Sequence, residues 1–187
     1  MDWIEIFAAL TGLLYVILEI RQKRLMWVVG AVSALFFMAV FVSSSLYAAM
    51  GLQVYYLFVS IYGWKKWGGN NSDPALAKEV VVALKLIPAL ISIAISILSY
   101  FIINWILEKY TNDPHSELDA FVTVVSMLAT YWVTRKHIEN WILWIIADAV
   151  AVYLYVQQGL YATTILYVIY IIAAVAGYIH WRKFPRV

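Results

Sequence analysis

The sequence predicts an all-α membrane protein of seven transmembrane helices, arranged as a 3+1+3 parallel repeat. Three observations carry this expectation. First, the 187 residues are 65% hydrophobic and 13% charged, with a mean hydropathy of +0.82. Soluble domains are nearer half apolar and a quarter charged. Second, seven apolar runs alternate with short polar breaks, each run close to the roughly 20 residues that a spanning helix needs. Third, two long stretches match each other at a fixed offset.

The runs are 3–20, 25–44, 46–67, 84–107, 118–134, 138–156 and 160–181. The first opens in "MDWIEIFAAL", whose two acids stand where a signal peptide would be basic, so it reads as a mature first helix. It stops at "RQKR". The second ends in "SSS", and the third carries Gln53, Ser60 and several tyrosines before closing on "WKKW". The fourth lies between "GGNNSDPALAKE" and "EKYTNDPHSE", with Pro88 near its start or kinking it. The fifth stops at "RKH", the sixth at "QQG", and the seventh runs into the tail "RKFPRV".

Charge sets the orientation. With the N-terminus outside, the breaks after the first, third and fifth runs and the tail hold 12 of the 13 Lys and Arg residues, all but Lys109. The positive-inside rule then places the C-terminus on the cytoplasmic side.

Laid over each other at an offset of 114 residues, Trp27 meets Trp141, Tyr47 meets Tyr161, and Tyr56 meets Tyr170. Gly63 meets Gly177, Trp67 meets Trp181, and Leu46, Ala48 and Leu52 meet identical residues. Runs one to three therefore pair with five to seven, giving units 1–67 and 117–187 joined by 68–116. Both units begin on the same side, so the relating axis lies along the membrane normal, as in transporters that bind substrate at the repeat interface. An old duplication that only packs helices is the plainer alternative.

Several functions are excluded. With no cysteine there is no disulfide, thiolate metal site or cysteine nucleophile. A net charge of +2 gives no nucleic-acid footprint. No phosphate loop, zinc-protease motif, dinucleotide signature or serine elbow occurs, and the histidines are not spaced as metal ligands. No catalytic residue, metal or cofactor is expected. The Asn70 sequon falls on the inner side and is set aside.

Candidate binding residues come from the cost of polar groups in lipid. Asp148 lies mid-way through the sixth run with no Lys or Arg near it. Asn140, Trp144 and Asp148 share a helical face, with Trp141 beside it. A carboxylate, an amide and indoles there suit a cation; a protonated or hydrogen-bonded Asp148 with interfacial tryptophans is the alternative. Gln53, Tyr56 and Ser60 share a face of the third run. Tyr167, Tyr170 and Ala174 stand at the matching places of the seventh, one turn beyond Thr163. Glu19 reads as a snorkelling partner of Arg21. Trp64 and Trp67 read as interfacial anchors.

The stretches "LYAAMGLQVYYLFVSIYGWKKW", "RKHIENWILWIIADAVAVYLY" and "GLYATTILYVIYIIAAVAGYIHW" resemble the PnuC family of bacterial vitamin transporters. That resemblance implies a SWEET-like fold, facilitated uptake across the inner membrane, intracellular trapping by phosphorylation, and a homotrimer. It maps a tryptophan-rich motif onto Asn140, Trp141 and Trp144, and third-helix positions onto Gln53, Tyr55 and Tyr56. The third- and sixth-run stretches look more like thiamine-type members, so thiamine is the expected vitamin. Nicotinamide riboside, which is also cationic, is the alternative, followed by riboflavin. A SWEET-type sugar facilitator is the reading from another ligand class.

Overall fold

The computed structural model describes residues 3–43, 47–68 and 80–187. Leu46, the Asn70 sequon and the charges at Asp2, Asp73, Lys78 and Glu79 lie outside the described residues, as does the Glu5 side chain. Seven helices follow among the described residues: α1 Trp3–Ile20, α2 Met26–Ser43, α3 Tyr47–Gly68, α4 Leu86–Tyr110, α5 Ser116–Thr134, α6 Asn140–Gln157 and α7 Tyr161–Trp181. Three of them, α4, α6 and α7, are individually long and apolar enough to cross a membrane. Pro88 falls in the first turn of α4, where its missing N–H would have had no helical partner, so it starts the helix rather than kinking it.

Contacts close six helices into a ring in the order α1, α2, α3, α5, α6, α7 and back to α1. The helix α4 stands outside, packed mainly on α5. Its exposed face carries Leu86, Leu98 and Phe101.

Residues 114 apart occupy matching environments. Trp27 and Trp67 meet edge to face with ring centroids 5.4 Å apart at 88°. Trp141 and Trp181 do so at 5.4 Å and 89°, an arrangement their ring quadrupoles favour. Gly63 and Gly177 leave room for the indoles of Trp27 and Trp141; a Cβ at either position would overlap the ring. The partner indoles then bond across the ring. Trp67 Nε1 donates to the Thr134 carbonyl at 3.3 Å, and Trp181 Nε1 donates to the Ile20 carbonyl at 3.0 Å. Each unit's last helix thus holds the end of the other unit's first. Trp67 is therefore a core residue, 8% exposed, and not the interfacial anchor its position suggests.

Those first helices also end alike. Gln22 and Lys136 take left-handed backbone conformations, φ 48° and 57°, which cost a non-glycine residue about 1–2 kcal/mol. The return is a Schellman closure of each helix. Lys23 N bonds to Leu18 O and His137 N to Trp132 O, while Gln22 N and Lys136 N bond to Glu19 O and Val133 O. At the opposite end, the matching residues Phe41 and Tyr155 stack on each other, 5.7 Å apart.

The end of the ring that carries the basic loops is closed by an extended segment. Residues 80–83 run parallel to 185–187, with Val81 N bonded to Pro185 O and Ala83 N to Val187 O. Val82 N reaches Lys136 O, Gln22 Nε2 reaches Val80 O, and His137 Nδ1 donates to Val82 O at 2.9 Å. Val81, 1% exposed, packs with Val16, Ile138, Trp141 and Trp181. This clamp joins the linker, the tail and both Schellman loops.

Gly63→Ala and Gly177→Ala should each cost about 1–3 kcal/mol by overpacking, by similar amounts. Thermal unfolding in detergent measures this, and a large inequality would mean that the two tryptophan pairs do not bear load alike. Burial holds the His137 imidazole below its ordinary value. The folded ring thus binds a proton less readily than the unfolded one. Its stability contribution is complete above about pH 6.5 and is lost as pH falls toward the folded value. The unfolding temperature should drop between pH 7 and pH 5, and His137→Gln should flatten that drop.

Candidate functional site

The ring encloses a cavity reached by all six of its helices. At its centre lies Asp148 from α6, 4% exposed. Tyr56 from α3 stands beside the Ser126 and Thr130 hydroxyls of α5. Tyr167 and Tyr170 face in from α7 with rings 5.3 Å apart, and the Tyr155 hydroxyl donates to that of Tyr167 at 3.4 Å. Toward the basic-loop end the wall is Glu19, Trp27, Trp141 and Trp144. Toward the other end it is Phe37, Phe41 and Tyr155.

Of the residues singled out from sequence, Gln53, Tyr56, Trp141, Trp144, Asp148, Tyr167 and Tyr170 all line this cavity. Helical spacing alone put each set on one face; the ring closure points the faces at each other. Gln53 is buried and its amide donates to the Ala49 carbonyl one turn back. Trp141 is fully buried. Asn140 stands apart. Its amide donates to the His137 carbonyl at the start of α6, and it is outside the cavity lining. Tyr55 points elsewhere too, with its hydroxyl on the Met127 carbonyl.

Glu19 is the site residue that sequence reading misplaced. It is 1% exposed, in the cavity wall, with the Tyr15 hydroxyl and the Trp144 indole as its neighbours. A signal for it exists: Gly12, Tyr15, Val16 and Glu19 fall at i, i+3, i+4 and i+7 on one face, and all four line the cavity. The tempting proximity of Arg21 hid that face. The interfacial reading of Trp64 fits better, since the Arg24 guanidinium lies 3.7 Å over its ring.

The cavity thus holds two buried carboxylates, and no Lys or Arg is among the described residues lining it. Isolated carboxylates in such surroundings are costly unless a cation or a proton joins them. Aromatic faces around them can share a positive charge. Such a lining has the chemistry to accept a cation or a hydrogen-bond donor.

A family model described as nicotinamide mononucleotide transporter matches residues 2–183. The nicotinamide riboside transporter PnuC of Escherichia coli (strain K12) is 26% identical, covering 100% of this chain and 87% of that protein. The riboflavin/roseoflavin transporter RibM of Streptomyces davaonensis is 27% identical, covering 90% of this chain and 79% of that protein. The crystal structure of the vitamin B3 transporter PnuC matches with a TM-score of 0.81 and 25% identity, covering 97% of this chain and 81% of that one. None of these relatives is named for thiamine, the vitamin expected from the sequence.

Gly12 shapes the cavity wall, whereas Gly51 is exposed and outside the lining. A Cβ on Gly12 would strike the Tyr170 hydroxyl, whereas one on Gly51 would meet nothing. Gly12→Ala should therefore displace Tyr170 and reduce uptake by membrane vesicles about tenfold, with Gly51→Ala near wild type. Equal uptake by both variants would show that the position of Tyr170 is immaterial.

Proposed function

The chain belongs to the nicotinamide mononucleotide transporter family, the PnuC transporters, and from that membership we propose that it carries a cationic, ring-bearing vitamin into the bacterial cell. The family is one of transporters, not enzymes. Nicotinamide riboside replaces thiamine as the first substrate, because it is the vitamin after which relatives are named. The observation that carries the reading is Asp148, a carboxylate buried among tyrosines at the centre of the ring with no basic residue in the lining. A pyridinium held there supplies the missing charge and stacks on aromatic faces. The neutral ring system of riboflavin would leave Asp148 without that partner, and a sugar would leave both carboxylates so.

All seven helices cross the membrane in this reading, with the N-terminus outside. The clustering of Arg24, Lys66, Arg135 and Lys136 at one end of the ring supports the orientation. The parallel 3+1+3 repeat is supported by the matched tryptophan pairs, the matched Schellman loops and the crossed indole bonds. Transport proceeds as alternating access about the central cavity. The clamp and crossed indoles part on the cytoplasmic side, the Phe41–Tyr155 stack on the other, and phosphorylation inside traps the vitamin. The apolar face of α4 serves lipid or the homotrimer contact.

Calorimetric titration of the purified protein with nicotinamide riboside, thiamine and riboflavin tests the reading. Nicotinamide riboside should bind most tightly, and no binding below millimolar concentration would end the proposal. Asp148→Asn should weaken nicotinamide riboside about tenfold or more, the loss of one charge-assisted contact. The uncharged dihydronicotinamide riboside should be little affected. Equal losses for the two forms would reduce Asp148 to a structural role.

A further inference from the structure

Glu19 is a second acid in a cavity whose charge requirement Asp148 already meets, and the surrounding atoms indicate a different task for it. Glu19 Oε1 is buried without a hydrogen-bond partner, and so is the indole Nε1 of Trp144. These two groups are neighbours on the wall of the cavity, one from α1 and the other from α6. The Nε1 atoms of Trp27 and Trp141 are unpartnered as well and line the same end. Buried polar atoms are nearly always satisfied, because an unmade bond leaves the group's full desolvation cost uncompensated. Here an acceptor and several donors stand within reach of one another at one end of the cavity.

We infer that Glu19 and the Trp144 indole form the specificity-determining edge of the cavity, reading a ring substituent that presents an N–H donor beside an acceptor. A primary carboxamide is such a group: its N–H donates to Glu19 Oε1 while its carbonyl accepts from Trp144 Nε1–H. An aminopyrimidine edge offers the same pair. The ring's positive charge then falls to Asp148, further along α6. The spacing from Trp144 to Asp148 is one helical turn, about 6 Å, comparable to the width of one heteroaromatic ring. The same edge disfavours a carboxylate in place of the carboxamide, since a carboxylate brings no N–H to Glu19 Oε1. Sites that bond a substrate's donors discriminate strongly against analogues that lack them.

The inference rests on the proposed vitamin transport, and the experiment separates the two. Affinities of the full-length protein in lipid nanodiscs are measured for nicotinamide riboside, its N,N-dimethylcarboxamide and nicotinic acid riboside. Wild type should favour the primary amide at least tenfold over the dimethyl compound and more over the acid. Glu19→Gln, whose amide can turn to donate, should weaken the primary amide and strengthen the acid, narrowing their gap at least tenfold. Thermal unfolding of the variant reports its folding, and the analogue series on wild type needs no variant. If wild type binds all three alike, or if Glu19→Gln shifts every ligand by one factor, Glu19 is not a reading edge while vitamin binding stands. If wild type binds none of them, the vitamin reading and this inference fall together.

Discussion

Two carboxylates buried in an apolar ring of helices set the terms for the rest of this molecule. Asp148 and Glu19 are each less than 5% exposed, in a lining that supplies no basic side chain. Desolvating such groups works against folding, so the surrounding frame must be stable without their help. Its stability comes from elsewhere: from indoles fitted over glycines, from aromatic stacks and from backbone groups closed off at the helix ends.

The frame and the cavity divide symmetry between them. Around the rim, residues 114 apart do the same work, as Trp27 with Gly63 and Trp141 with Gly177 show. Inside, the counterparts differ. Asp148 stands against Ala34, Glu19 against Val133, and Tyr167 against Gln53. Identical packing makes the walls; unlike side chains make a lopsided interior suited to a ligand with one charged and one hydrogen-bonding side. Ala34 and Val133 carry no charge, so neither acid has an acid at its matching position in the other unit.

Much of this was legible in the sequence, for definable reasons. Long apolar runs locate helices because lipid forces each backbone to satisfy itself locally. Asp148 stood out because nothing nearby in sequence explained its charge. Glu19 did not, because Arg21 offered a local partner, while its true neighbours come from α1 and α6, more than a hundred residues apart. Trp67 resembled an anchor because it follows two lysines, yet its ring turns inward onto Trp27. The clamp of residues 80–83 on 185–187 left no periodic trace, as a few main-chain bonds carry no side-chain pattern. The choice of vitamin was the least legible, since thiazolium and pyridinium carry the same charge.

The crossed indole bonds have a mechanical corollary. Trp67 ties α3 to the end of α5, and Trp181 ties α7 to the end of α1, at the same end of the ring. Both bonds cross between the units, so relative movement of the halves strains them. A rotation of one half against the other loads the two fastenings together. That end of the ring is therefore disposed to behave as a double bolt, drawn on both sides or on neither, with few half-unlatched arrangements between.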